Sequence, residues 1–134
     1  MSHLAGTWHL KSHHNVTAFL HKIGEDEEFI KGAEEDKPKL SISFPDHEHV
    51  VFDYDGKFGK HEEKCKFGSV CEHKSLHGRK FKSIITKESD NCMKSDIQDS
   101  AHPAHRVYEL IDNELHLTSI AGDVKAVSIF TREH

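Results

Sequence analysis

At 134 residues the chain has the length of one domain, and with 31% charged and 35% apolar residues it has the balance of a water-exposed globule. No run approaches the roughly 18 apolar residues a membrane-spanning helix needs. The net charge of -5 comes without any basic block, which argues against nucleic acid as a partner. Met1 to Trp8 lacks a basic head followed by an apolar stretch, so no secretory signal is expected and the chain reads as cytoplasmic. The 14 histidines are the compositional oddity, and they should swing the net charge from negative to positive on mild acidification.

In chain order, one strand is expected first. Val16, Phe19, Leu20 and Ile23 then fall at helical spacing, with Asn15 as the expected N-cap and Gly24 as the stop. A second short helix starts at Asp26, with Glu27 and Glu28 in its first turn and Phe29, Ile30 and Ala33 on its apolar side. Pro38 opens the next strand. From there a two-residue period takes over. Leu40, Ile42 and Phe44 alternate with Ser41 and Ser43; Phe52 and Tyr54 alternate with aspartates; Leu115 and Leu117 alternate with His116 and Thr118. Turn signals recur at Pro45-Asp46, Asp55-Gly56, Gly68, His77-Gly78, Ser89-Asp90-Asn91, Asp112-Asn113 and Gly122-Asp123. A spacing of roughly 8–12 residues between turns reads as an antiparallel sandwich or barrel. Val124 to Thr131 is apolar on both parities, so pattern alone leaves its register open. The expected order is one strand, two short helices and about nine strands.

Three cysteines, Cys65, Cys71 and Cys92, with no CxxC pair, suit reduced thiols better than a disulfide framework. Asn15-Val16-Thr17 matches the glycosylation sequon and is expected to go unused.

Several segments, taken together, resemble the fatty-acid-binding protein family, which includes the cellular retinoid-binding proteins. Leu4-Ala5-Gly6-Thr7-Trp8 is similar to the family's F-x-G-x-W opening, with Leu4 in the aromatic place. Lys37-Pro38 falls where the family has lysine-proline after its second helix. Gly68 to Glu72 resembles the G-x-x-F-x-E segment, with Cys71 in place of the aromatic and the acid one place early. Gly78 to Ser83 resembles the D-R-K-x-K-S strand, and Asp112 to Leu115 and Gly122 to Val124 resemble the last two turns. The resemblance spans nearly the whole chain. It implies a mainly β fold over residues 1–134, a single ten-stranded antiparallel up-and-down barrel with a helix-turn-helix lid. It implies non-catalytic binding and transport of one hydrophobic small molecule, a fatty acid or similar amphiphile, by a monomer that needs no cofactor and makes transient membrane contact. A barrel of about ten strands is too wide for its own side chains to fill, so a cavity is expected on physical grounds too.

On this registration Val16, Phe19, Leu20, Phe29 and Ala33 face the ligand from the lid, and Tyr54 and His61 face it from the barrel wall. Carboxylate-binding members of the family end in an R-x-Y strand, with a second arginine two strands earlier. Here the R-x-Y place reads Ser128-Ile129-Phe130, and the earlier arginine position falls on Tyr108. The usual clamp is therefore degenerate. Arg106 shares parity with Tyr108, and an inward Arg106 beside Tyr108, Ser128 and Phe130 would form a substitute polar site, since a buried guanidinium needs an anion or water beside it. The competing reading turns Arg106 outward. Arg79 is placed near the portal as a solvated loop residue.

The histidines offer two other chemistries. The pairs His47/His49, His13/His14, His73/His77 and His102/His105 do not supply the three or four converging ligands of a structural zinc site, so solvated histidines are the plainer reading. The alternative function is a metal-, haem- or bilin-linked barrel, even an oxidative enzyme such as a luciferase, with His61 as the inward ligand. Cys71-Glu72-His73 matches no nucleophile motif, and Cys71 is expected to enlarge the cavity by replacing a core aromatic.

Overall fold

The computed structural model describes residues 3–57, 59–74, 80–98 and 103–133. The elements follow the expected order: β1 (Gly6–His14), α1 (Val16–Lys22), α2 (Glu27–Glu35), then β2 (Lys39–Asp46), β3 (His49–Gly56), β4 (Gly59–Lys66) and β5 (Val70–Lys74). The second half of the barrel is β6 (Lys80–Ser89), β7 (Cys92–Ile97), β8 (Ala104–Ile111), β9 (Glu114–Ala121) and β10 (Val124–Arg132). All ladders are antiparallel, and the ten strands form one sheet in the order β4-β3-β2-β1-β10-β9-β8-β7-β6-β5. The first and last halves of the chain meet where β1 pairs with β10. The sheet is thus a nearly closed barrel whose two edge strands, β4 and β5, lie side by side without a described ladder between them. The side chain of His73, and residues His77, Gly78, Arg79 and His102, lie outside what the structure describes.

The alternating pattern does what its period demands. Leu40 and Ile42 of β2 and Val50 and Phe52 of β3 are buried, while their odd-parity neighbours face out or sit at the margin. Two-residue turns fix the register at the end of the chain. Asp112 and Asn113 take φ of 50° and 65°, the left-handed pair of a type I′ hairpin, which Asp and Asn tolerate better than most residues. This turn and the β9–β10 turn settle the register that pattern left open: Phe130 lies opposite both Leu115 and Leu10, so Ala126, Ser128 and Phe130 share the inward parity.

The helices start in different ways. The Asp26 carboxylate accepts from the Phe29 amide at 2.8 Å and so caps α2. Asn15 occupies the expected N-cap position of α1, but its side chain makes no capping hydrogen bond. It takes a left-handed backbone, φ 64°, and its side-chain amide donates instead to the Lys125 carbonyl at 2.9 Å. Gly24, at φ 81°, follows the last turn of α1 as expected.

The far end of the barrel is plugged by Leu4 and Trp8, both fully buried, with the Trp8 indole donating to the Leu4 carbonyl at 3.0 Å. Arg132 lies over the Trp8 ring at 4.2 Å and its guanidinium donates to the Ala5 and His3 carbonyls. Gly6 is required here: its φ is 138°, and a Cβ would meet the Arg132 Nη1 at 2.8 Å.

The cysteines correct the sequence reading. Cys65 and Cys71 form a disulfide, and Cys92 is the remaining thiol. A CxxC motif is not needed when a strand turn does its work. Cys65 near the end of β4 and Cys71 near the start of β5 both point inward across the intervening turn, with Cα atoms 5.5 Å apart, inside bonding range.

Candidate functional site

Buried apolar side chains fall into two groups. One fills the plugged end and the barrel wall, from Leu4 and Trp8 through Phe52, Met93 and Leu115 to Phe130. The other lies under the lid, where Phe19, Leu20 and Ile30 pack on the small residues Ala104, Ala121 and Ala126. Small residues on the strands leave room for the helices to seat closely. A cavity of about 310 Å³ draws its walls from both groups, within the size range of small-molecule sites.

The lid supplies one apolar wall. Val16 and Leu20 from α1 and Phe29 and Ala33 from α2 face the cavity, as expected for the apolar sides of these helices. Tyr54 of β3, His61 of β4, Arg106 of β8 and Ser128 and Phe130 of β10 also line it. Phe19 and Tyr108 do not. Phe19 is buried in the group under the lid, its ring 5.9 Å from the Arg106 guanidinium carbon. Tyr108 is buried against Phe52, ring centroids 5.2 Å apart. Both residues therefore support Arg106 from behind the wall rather than forming the wall.

Polar residues on the cavity wall are Tyr54, His61, Glu63, Arg106 and Ser128, together with His13, Glu25 and Asp36. Arg106 faces inward, and its Nε is buried with no hydrogen-bond partner among the described residues. Burial pulls its pKa down, but the facing Tyr108, Tyr54 and Glu63 oxygens, with a hydrogen bond to Tyr108, outweigh burial and hold it above the ordinary value. Burial also drives the Tyr54 hydroxyl well above its ordinary value, with Tyr108 adding and Arg106 opposing. At neutral pH the site holds a guanidinium cation with the neutral Tyr54 phenol beside it.

Sequence reasoning missed Glu63. It follows His61 at the same parity on β4, lines the cavity, and receives the His61 Nε2 at 3.0 Å, with both side chains about one-fifth exposed (23% and 19%). The signal was available, since two residues two apart on one strand must share a face. A glutamate on an inward parity breaks the apolar-in, polar-out alternation, so pattern alone does not single it out. With Nε2 of His61 engaged by Glu63, that nitrogen is not presented to a haem iron. Among the described residues no three His, Cys, Asp or Glu side chains converge as a metal site would require.

Comparison with known proteins gives one consistent result. The model of the lipocalin / cytosolic fatty-acid binding protein family matches residues 5–132. Cellular retinoic acid-binding protein 1 of Gallus gallus is 29% identical over 138 aligned positions, covering 99% of this chain and 100% of the relative. A fatty acid-binding protein of Schistosoma japonicum is 24% identical over 132 positions, covering 98% and 99%. Among solved structures, the Schistosoma mansoni fatty acid binding protein in complex with arachidonic acid superposes with a TM-score of 0.94 at 24% identity, covering 100% of this chain and 98% of that one. This last likeness is one of architecture.

Proposed function

The chain belongs to the lipocalin and cytosolic fatty-acid-binding protein family, and from that premise we propose that it binds and carries one hydrophobic small molecule, a fatty acid or similar amphiphile, in the barrel cavity without chemical turnover. One observation carries the reading: a mostly apolar cavity contains the Arg106 guanidinium, whose Nε has no hydrogen-bond partner among the described residues. A buried donor left unmade costs roughly 1–3 kcal/mol, more when charged, and a ligand head group that accepts from it recovers that cost on binding. Arg106 here takes over from the degenerate clamp, with Tyr54 and Ser128 beside it. The lid residues Val16, Leu20, Phe29 and Ala33 hold the chain of the amphiphile, and Phe130 and His61 complete the wall. We place the protein in the cytoplasm as a monomer that meets membranes transiently. No described helix is long and apolar enough to cross one.

Calorimetric titration with oleic acid and methyl oleate tests this. A charge-assisted bond is worth about 1.5–3 kcal/mol and a neutral one about 0.5–1.5. Arg106→Leu should weaken oleic acid about tenfold to a hundredfold and methyl oleate by less than about tenfold. Equal losses would mean that Arg106 only shapes the cavity. No binding of either ligand by the unaltered protein would end the carrier reading.

A further inference from the structure

Charge is unevenly placed over the outside of the barrel. α2 and the residues that flank it carry Asp26, Glu27, Glu28, Glu34, Glu35 and Asp36 against Lys31 alone. The outer face of the β4–β5 seam has the opposite sign. Lys64 and Lys66 of β4 alternate with the inward Glu63 and Cys65, Lys80 and Lys82 of β6 alternate with Phe81 and Ser83, and all four lysines are exposed. The Cys65–Cys71 bond draws β4 and β5 together, which sets Lys64 beside Glu72 and Lys66 beside Val70. Glu72 and Val70 pair in turn with Lys82 and Ile84. Four lysines therefore surround one glutamate and an apolar spot, where Val70 is 54% exposed. Asp53 and Asp55 of β3 and Asp96 of β7 mark the edges of the patch. Elsewhere Lys11, Lys22, Lys39, Lys57 and Lys87 each hold a carboxylate at 2.8–3.8 Å. No such pair engages the four lysines of the seam among the described residues.

We propose that this outer face of β4, β5 and β6, with Lys64, Lys66, Lys80 and Lys82 around Val70, docks the protein on an anionic lipid bilayer, and that the acidic lid does not. The inference rests on the carrier reading above, since a carrier of amphiphiles exchanges them with membranes, and it names the surface that makes the contact. Lysines close to an anionic leaflet are attracted to it, and an exposed apolar side chain among them enters between the head groups. The lid acids act on what approaches the lid end, because at physiological salt a charge is largely screened beyond about 8 Å. A bilayer suits the patch better than an acidic protein, since four flexible lysines and one apolar spot present no pocket or fixed hydrogen-bond pattern for a folded partner. β4 and β6 also carry His61 and Phe81 of the cavity wall, so docking through this face lays one side of the cavity against the source of the ligand.

Vesicle flotation tests this at about pH 8, above the ordinary imidazole range, with phosphatidylcholine vesicles and with vesicles in which one-third of the lipid is phosphatidylserine. At low salt the unaltered protein should prefer the phosphatidylserine vesicles by about tenfold to a hundredfold. The preference should vanish at about 1 M salt, where the Debye length is about 3 Å. Lys64→Gln, Lys66→Gln and Lys82→Gln combined should remove most of it, whereas Lys31→Gln in the lid should leave it within about twofold. The three lysines are exposed, so the combined variant should keep its fold and bind oleic acid in calorimetry as the unaltered protein does. Should it fail to fold, Lys82→Gln alone should lower the preference about fivefold and decides in its place. No preference for phosphatidylserine overturns the inference and leaves the patch to an acidic protein. A preference kept by the combined variant, or lost with Lys31→Gln, overturns it as well, because another face would then dock. None of these results touches the carrier reading, which falls only if neither oleic acid nor methyl oleate binds the unaltered protein.

Discussion

Arg106 sits where function and stability pull in opposite directions. Its guanidinium is turned into a mostly apolar cavity, stacked near Phe19 and bonded to Tyr108, yet its Nε has no partner among the described residues. Replacing an incompletely satisfied buried charge by an apolar side chain of similar bulk is commonly neutral or stabilising. Arg106→Leu should therefore raise the stability of the ligand-free protein by about 1 kcal/mol in urea unfolding, while weakening polar-headed ligands. A loss of stability instead would show that the Phe19 and Tyr108 contacts outweigh the orphaned donor. Gly6 gives the opposite case, a residue whose only task is space. Gly6→Ala places a methyl against the Arg132 guanidinium and forces an L residue to φ 138°, so it should cost about 1–3 kcal/mol by the same measurement. Stability unchanged by this substitution would mean that Arg132 moves aside freely. The inward parity of Arg106 was legible from its two-residue offset to Tyr108. Its missing partner was not, because an unmade bond depends on every side chain around the cavity.

The lid is the element on which ligand exchange should depend. α1 and α2 are 7 and 9 residues long, too short to persist without tertiary contacts. Their ends are held differently, α2 by the Asp26 cap and α1 by the Asn15 bond to β10. Helical spacing predicted both helices and their apolar sides, and Asp26 as a cap was readable from residue type alone. The role of Asn15 was not, since the Lys125 carbonyl that accepts from its side-chain amide lies 110 residues along the chain. Phe29 lines the cavity from α2 while remaining only partly buried, so it contributes more to the closure over the ligand than to the core. Phe29→Ala should change stopped-flow uptake or release of a fluorescent fatty acid severalfold, with less than about 1 kcal/mol lost in stability, because lids belong to the less stable elements of a fold. Unchanged rates would place the entry route elsewhere in the barrel.

At the scale of the whole molecule, the barrel has one seam. Nine antiparallel ladders join the ten strands in sequence around the sheet, and β4 and β5 close the circle without a described ladder. Strand number and order were legible from turn spacing and from the resemblance of the chain to its family. The closure was not, because a turn signal at Gly68 says that the chain reverses and says nothing of whether the flanking strands pair. The Cys65–Cys71 bond crosses this seam at its turn end, and the cavity-facing His61 and Glu63 lie on the same strand as Cys65. An odd number of cysteines and the absence of a CxxC pair point to thiols, and neither carries information about which strand faces meet. A cross-link spanning only 6 positions removes little chain entropy, about 2 kcal/mol in the loop-closure relation. Reduction should thus lower unfolding stability by about that amount and leave the β content of the circular dichroism spectrum unchanged, since no ladder depends on the bond. Thiol titration under denaturing conditions makes the companion measurement: one reactive thiol, Cys92, in the oxidised protein and three after reduction. Three thiols before any reductant would mean that the protein as isolated carries Cys65 and Cys71 as an open pair, the state a reducing cytoplasm favours. The seam would then be held by the β4–β5 turn and by packing alone, and the stability of the isolated protein should already equal that of the reduced form.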